Sequence, residues 1–407
     1  MTEPVCLLKS RRFFDRIRQF IATQLIGCFA TLAFLGCSGV FVAPSPSRAD
    51  DKIQAARDNA LVQTLLRLPN VDVNAKPKLR DAVLRHLATK KGTAEYVDLV
   101  GRLKLKGVEP ALLEMAINDP DGNAGVQAAA LLIKRGDAER FAAILEAQDE
   151  ATAVKAATVL GLVASSSSTD ILRPIVTDAT KGRALRVAAS AALGRSRSGQ
   201  QFLLKLARES RLTADLHFVV GNALLGSANP AIRAEAAQQF QLPAGADAKP
   251  LPPVARLLQM EGNVGRGHEL FKVRATCSKC HRVDGQGKEI GPDLSEIGSK
   301  LSREALFTSI LDPSAGISHN YETYAAVLED GNLVTGVLVN RTDEAVVLRT
   351  AEAIDRTYDI EEIEELVKSP VSLMPADLQK LLSVQELVDV VQYLGSLKKR
   401  NTRPGGA

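Results

Sequence analysis

A repeated Ala- and Leu-rich segment in the first half of the chain constrains its fold more than any other feature. Four copies of this segment begin at Val126, Val154, Val187 and Val219, so successive copies start 28, 33 and 32 residues apart. That spacing accommodates two antiparallel helices and two short loops, and small alanine side chains let helices approach closely. In three copies a glycine follows the last leucine, a position typical of a helix C-cap (Gly161, Gly194 and Gly226).

Residues 50–242 are therefore predicted to form a helical repeat domain. They are rich in Ala, Leu and Val at helical spacing and almost lack the alternation of a strand. The copies resemble HEAT-type repeats, which implies an α-solenoid, although the period is short and residues 78–117 fit the pattern poorly. An Ala-rich helical bundle is the alternative. His86 and His217 are isolated in apolar helical surroundings, so we expect them to be packed rather than to bind a ligand.

The second constraining feature is the order of three side chains, Cys277, Cys280 and His281. Cys-x-x-Cys-His is the attachment signature of c-type haem: the thiols form thioethers with the haem vinyl groups, and the imidazole binds the iron. A redox dithiol would not require the histidine, and a zinc site would need further ligands. The other three cysteines all lie within the first 49 residues. The sequence predicts one covalent haem c, with a redox dithiol or a chance match as the alternatives.

The segments around this motif resemble class I cytochromes c. A predicted helix, residues 265–271, precedes the cysteines, and an amphipathic helix, residues 386–397, closes the region. In class I cytochromes c the first and last helices cross over the haem edge, and the resemblance places Phe271 and Tyr393 at that crossing. It also implies that the backbone carbonyl of Pro292 accepts the imidazole N–H of the haem-binding histidine.

The sixth iron ligand decides between electron transfer and reactivity. Beyond the first 49 residues the methionines are Met115 in the repeats, Met260 at the domain entry, and Met374. Met374 precedes a proline shortly before the last helix, where class I cytochromes c present their axial sulfur. The predicted iron ligands are therefore His281 and Met374, with His268 and His319 as competitors for the second position.

His281 and Met374 are 93 residues apart, far more than a minimal monohaem domain needs. The additional residues show the alternation of apolar and polar side chains that is typical of short strands, and they contain turns such as Asp330-Gly331. This pattern predicts a small β-barrel inserted at residues 316–366. A domain of this type, at residues 261–400, would follow a linker at residues 243–260, where Pro and Gly break the helical pattern.

This combination resembles the planctomycete and verrucomicrobial type of haem-binding domain, a class I cytochrome c with an inserted β module. That family often joins this domain to HEAT-like repeats, and it implies redox function outside the cytoplasm. The resemblance rests on the haem motif and the closing helix together with several short motifs (Gly291–Leu294, Leu311–Pro313, Asp330-Gly331 and Ser372–Pro375).

The first 49 residues have the pattern of an export signal. A basic stretch to Arg18 precedes an apolar run and a small-x-small sequence ending at Ala49. We expect a periplasmic protein, or one on the outer face of the cytoplasmic membrane; an uncleaved anchor or a lipidated Cys37 would attach it to the membrane.

The net charge argues against nucleic acid as a partner. The chain has 51 basic residues (Lys and Arg) and 47 acidic residues (Asp and Glu). The first 49 residues contain six of the basic and two of the acidic residues, so the rest of the chain has 45 of each and no net charge. Between Phe271 and Lys288, however, five basic residues stand against one acid. They form either a docking patch for an acidic partner or a solvated rim.

These observations favour an electron-transfer protein whose helical repeats dock a redox partner protein. Two alternatives remain open. A haem enzyme or sensor would have an open or exchangeable sixth ligand, and a scaffold would use its repeats for binding and its haem as an accessory.

Overall fold

The structure is a computed structural model that describes residues 48–68 and 71–399. The predicted export signal, residues 1–49, lies outside the described residues except for its last two positions. The described residues from Ala55 onward form one unit. None of the described helices is both long enough and apolar enough to cross a bilayer.

The described part of the chain is mainly helical. Its α-helices, in chain order, are α1 (Arg48–Leu65), α2 (Pro77–Ala88), α3 (Ala94–Arg102), α4 (Glu109–Asn118), α5 (Asn123–Lys134), α6 (Glu139–Glu146), α7 (Glu150–Val163), α8 (Ser166–Thr177), α9 (Arg183–Leu193), α10 (Arg197–Arg208), α11 (His217–Leu225), α12 (Pro230–Gln239), α13 (Val254–Leu257), α14 (Val264–Lys272), α15 (Ile297–Lys300), α16 (Arg303–Leu311) and α17 (Val384–Ser396). Short 3-10 turns cover Ala214–Leu216, Cys277–Lys279, Ile360–Glu362 and Leu378–Leu381.

The four sequence copies lie on α5, α7, α9 and α11, and a second helix follows each of them. The first helices of successive pairs contact one another, from α5 through α7 and α9 to α11. The second helices, α6, α8, α10 and α12, do the same. Each pair therefore buries its apolar side chains against the neighbouring pairs, in a continuous core (Leu132, Leu160, Leu193 and Leu224 among others).

Gly194 and Gly226 are helix C-caps, as the sequence predicted, whereas Gly161 is not. Gly161 lies inside α7, which ends instead at Ala164 in a left-handed conformation. Gly194 and Gly226 do follow their helices but have φ of −58° and −84°, which any residue adopts. A Cβ on Gly161 would lie 2.5 Å from the Cβ of Ala192, and one on Gly194 would lie 2.6 Å from that of Ala223. These two glycines allow successive first helices to approach closely.

The predicted barrel is an open antiparallel sheet of five strands. The strands are β1 (Thr323–Leu328), β2 (Leu333–Arg341), β3 (Ala345–Arg349), β4 (Asp355–Asp359) and β5 (Ile363–Lys368), in the order β4-β3-β2-β1-β5. All five contribute side chains to one apolar cluster, so the sheet bends around it. Only a short turn separates β4 from β5 along the chain, but the two strands lie at opposite edges of the sheet. They do not pair with each other, so the sheet does not close into a barrel.

A second core joins the remaining C-terminal elements. Helices α14 and α17 pack against each other, and the buried side chains between them include Phe271, Leu387 and Val391. The segment 243–260, predicted as a linker, contributes Leu251 and, from α13, Val254 and Leu257 to the same core. This core supports the loop that contains the cysteine motif.

Candidate functional site

One tight turn presents the two thiols and the imidazole. Thr276, in a left-handed conformation with φ of 55°, reverses the chain after α14. The carbonyl of Cys277 then accepts hydrogen bonds from the backbone N–H of Cys280 at 3.0 Å and of His281 at 2.9 Å. Both cysteines are free and half-buried. The backbone geometry of this turn thus holds the predicted site residues Cys277, Cys280 and His281 together.

The two thiols lack the character of an activated redox pair. Burial raises the pKa of Cys277 to about 12. Burial also raises the pKa of Cys280, against the lowering effect of Lys288 and Lys279. Reactive thiols and thiolate metal ligands have lowered pKa values, whereas the pKa values of both thiols here are raised.

His281 has the orientation expected of an iron ligand. Its Nδ1 donates a hydrogen bond to the backbone carbonyl of Pro292 at 2.8 Å, the bond that the resemblance implied. Burial lowers the pKa of the imidazole, and this hydrogen bond opposes the shift only in part. The ring is therefore neutral at pH 7, with its proton on Nδ1 and the lone pair on Nε2, the form that binds metals.

A glycine-lined loop holds the imidazole in place. A Cβ on Gly291 would lie 2.5 Å from Cε1 of His281, so this position has no room for a side chain. The backbone N–H groups of Ile290 and Gly291 donate to the carbonyl of Cys280 at 3.0 and 2.8 Å. The Gly-Pro pair in the sequence signalled this loop, but the contact between glycine and imidazole required the structure.

The inserted sheet contacts the same loop, which sequence reasoning missed. Arg349 on β3 donates from Nη1 to the carbonyl of Glu289 at 2.9 Å. Its other nitrogens bind both carboxylate oxygens of Asp355 at 2.7 and 2.8 Å, which fixes the guanidinium. Nζ of Lys288 donates to the carbonyl of Glu352 at 3.3 Å. The sheet thus supports the loop that leads to Pro292.

Met374 lies in the loop between β5 and the turn Leu378–Leu381. Its half-buried side chain packs on the C-terminal core that also receives Cys277 and Leu294. Its backbone N–H donates to Oγ of Ser372 at 3.2 Å. The structure therefore brings Met374 and the cysteine motif to one apolar cluster.

The competing histidines have different surroundings. The side chain of His319 is 88% exposed and lies beside Glu322. His268 is on α14, where its ring lies 5.0 Å from that of Tyr393.

The crossing of the first and last helices agrees with the prediction. The rings of Phe271 and Tyr393 meet edge to face, with centroids 5.5 Å apart. A Cβ on Gly267 would overlap the backbone of Asp389, so glycine permits the crossing.

Asp389, which the sequence analysis did not single out, fixes this crossing from inside α17. Its fully buried carboxylate accepts hydrogen bonds from Arg266 and, at 2.8 Å, from the backbone N–H of Asn263. Burial alone would raise the pKa of Asp389, but hydrogen bonds from Arg266, Asn263 and Gln385 hold it below its ordinary value.

Two of the five basic residues near the motif are neutralised. Arg274 pairs with Glu386 at 2.7 Å, and Arg282 pairs with Asp293 at 3.0 Å. The positive charge that remains near the motif comes from lysines (Lys272, Lys279 and Lys288).

Residues 264–326 match the family model described as Cytochrome c. The match begins in α14, includes the cysteine motif and Pro292, and ends in β1; Met374 and α17 lie beyond it. It supports a cytochrome c domain in this part of the chain, which implies covalently bound haem c and suggests haem-based electron transfer. The residues present fit this group: two adjacent thiols, a neutral imidazole with a free Nε2, and an apolar cluster beside them.

Proposed function

We propose that this chain is an exported monohaem c-type cytochrome that transfers single electrons. Cys277 and Cys280 would hold the haem through thioethers, and His281 and Met374 would bind its iron. The observation that carries the proposal is the hydrogen bond from His281 to Pro292 within the matched segment. It leaves one nitrogen of a neutral, oriented imidazole available to iron, an arrangement that a dithiol site does not need.

Bound haem supplies a one-electron Fe(III)/Fe(II) couple. Pro292 keeps the proton of His281 on Nδ1 and makes the imidazole a stronger donor. The thioether of Met374 is neutral and soft, so it favours Fe(II) and raises the potential relative to histidine or water. Bound to the iron, Met374 would also keep small ligands away from the site.

The proposals for the repeat domain, the type of haem-binding domain and export are supported by the sequence and by the packing of helices and strands. Stacked helix pairs support a HEAT-like solenoid at residues 50–242, which would dock a redox partner protein. The open sheet between the proposed ligands supports the planctomycete and verrucomicrobial type of domain. The first 49 residues support export to the periplasm or to the outer face of the cytoplasmic membrane, with attachment if the segment is retained or lipidated.

Replacing both thiols tests the covalent haem. Cys277→Ser combined with Cys280→Ser should abolish haem staining on a denaturing gel, because no thioether can form. Ser278→Ala changes a residue between them whose hydroxyl only donates to the carbonyl of Lys272 at 3.1 Å, and it should retain the stain. Staining of the double variant would overturn the assignment.

The sixth ligand is tested by Met374→Ala. The oxidised wild type should show the weak sulfur-to-iron charge-transfer band in the far red, and the variant should lose it, bind imidazole and have a lower potential. Met260→Ala is the matched control, because Met260 packs on the same core but is not a proposed ligand. A wild type that lacks the band and binds imidazole readily would favour the haem enzyme or sensor.

A further inference from the structure

A buried ion pair joins the helical repeats to the C-terminal region. Arg183, the first residue of α9, donates from Nη2 to both carboxylate oxygens of Asp312, at 2.9 and 3.0 Å. The same nitrogen lies 3.2 Å from the carbonyl of Asp215, which helps to fix the guanidinium. The side chains of Arg183 and Asp312 are only 18% and 11% exposed. Asp312 belongs to the Leu311–Pro313 motif, to which the proposed function assigns no role.

From Asp312 a continuous series of contacts leads to Met374. Two residues further along the chain, Oγ of Ser314 accepts a hydrogen bond from the backbone N–H of Ser372 at 3.0 Å. Oγ of Ser372 in turn accepts one from the backbone N–H of Met374 at 3.2 Å. Pro313 between them is buried and has a restricted backbone. These contacts connect Asp312 to the loop that carries Met374.

We infer that Arg183 is a positioning residue for Met374, so that the helical repeats help to set the properties of the haem. The inference rests on the proposed ligation by Met374. Without Arg183 the buried carboxylate of Asp312 is left uncompensated and has to move toward water. That movement pulls Ser314 away from Ser372 and loosens the methionine loop, which lowers the occupancy of the sixth position.

A second ion pair between the same two regions provides a matched control. Arg195, just beyond α9, pairs with Glu304 on α16 at 3.2 Å. This pair is largely exposed, and Glu304 lies in the first turn of α16, at the end opposite Asp312. Its loss weakens the contact between the two regions without disturbing the hydrogen bonds to Met374.

The test compares Arg183→Gln, Arg183→Lys and Arg195→Gln in the haem-loaded full chain. Imidazole titration of the oxidised protein reports how readily the sixth ligand is displaced, and the far-red band reports methionine ligation. Arg183→Gln should raise the imidazole affinity by about two- to thirtyfold, the range of coupling carried through packed networks, and lower the potential. Arg183→Lys should have a smaller effect, because lysine keeps the charge but loses the planar guanidinium whose Nη2 contacts both Asp312 and the carbonyl of Asp215. Arg195→Gln should match the wild type.

Each outcome decides one claim. A folded Arg183→Gln variant with wild-type imidazole affinity and band overturns the positioning role while leaving Met374 as the ligand. A wild type without the band overturns the proposed ligation itself. If Arg183→Gln does not fold, Ser314→Ala removes the hydroxyl that accepts from Ser372 and leaves the ion pair itself in place. It should also raise the imidazole affinity, and an unchanged affinity contradicts the inference.

Discussion

At the scale of single residues, the site depends on a glycine that has no chemistry of its own. Gly291→Ala would place a Cβ 2.5 Å from the imidazole of His281. Because the ring is also fixed by its bond to Pro292, we expect the variant to tilt the ring, to weaken that bond and to shift the haem potential.

Gly316→Ala is the control, because a Cβ there meets nothing within 4 Å and its φ is not positive. Both variants are compared in a redox titration. The same potential for Gly291→Ala and the wild type would show that the imidazole has more room than the structure indicates.

The lowered pKa of Asp389 leads to a prediction of how the stability of the domain depends on pH. Its pKa is held below the ordinary value in the folded protein. Such a group stabilises the folded state above the pKa of the unfolded chain, and this contribution is lost as the pH falls through the folded pKa. Asp389→Asn should therefore lower the free energy of unfolding by about 1.5–3 kcal/mol at pH 7, the range for hydrogen bonds to charged groups.

Urea unfolding at pH 7 and pH 3 checks this, and the difference between variant and wild type should shrink at the lower pH. Asp377→Asn, which removes an exposed pair with Lys380, should have almost no effect at either pH. A destabilisation by Asp389→Asn that is equal at both pH values would mean that the charge is not the cause.

At the scale of helices and strands, the cost of a steric clash between neighbouring helices outweighs the higher helix propensity of alanine over glycine. Alanine normally stabilises a helix interior by about 1 kcal/mol relative to glycine. At Gly161 the added Cβ would collide with Ala192 of the next pair, and overpacking costs about 1–3 kcal/mol. Gly161→Ala should therefore lower the melting temperature.

Gly101→Ala provides the comparison within a helix. Its Cβ would only touch Leu131 at 3.7 Å, an ordinary contact, so this variant should be neutral or stabilising. Thermal unfolding followed by circular dichroism compares the two. A stabilising Gly161→Ala would show that α7 and α9 are further apart than described.

The sequence predicted which helices and strands form better than it predicted where the strands end and whether the sheet closes. Hydrophobic periodicity located the first helix of each pair and most strands, because both patterns follow from one buried face. The predicted insertion, residues 316–366, ends inside β5 (Ile363–Lys368), because the sequence Ile-Glu-Glu-Leu-Val-Lys lacks the strict alternation that signals a strand. Whether the sheet closes depends on strands far apart in the ladder, which local patterns do not report.

At the scale of the whole molecule, the contacts between regions could not be predicted from the sequence. The haem motif and Met374 could be read locally, because the chemistry requires those residue types in that order. Arg183 and Asp312, however, are 129 positions apart and have no pattern that links them. The position of Arg349 beside Glu289 likewise depends on how the sheet folds back onto the loop.

A redox titration of the purified wild-type protein, followed by its optical spectrum, tests the central claim most directly. We expect one reversible one-electron transition of a haem that denaturation does not release, and a far-red band in the oxidised form that disappears on reduction. That result would support one covalent haem, ligation by Met374 and electron transfer together. A spectrum without haem, more than one transition, or an oxidised form without the band would contradict the account.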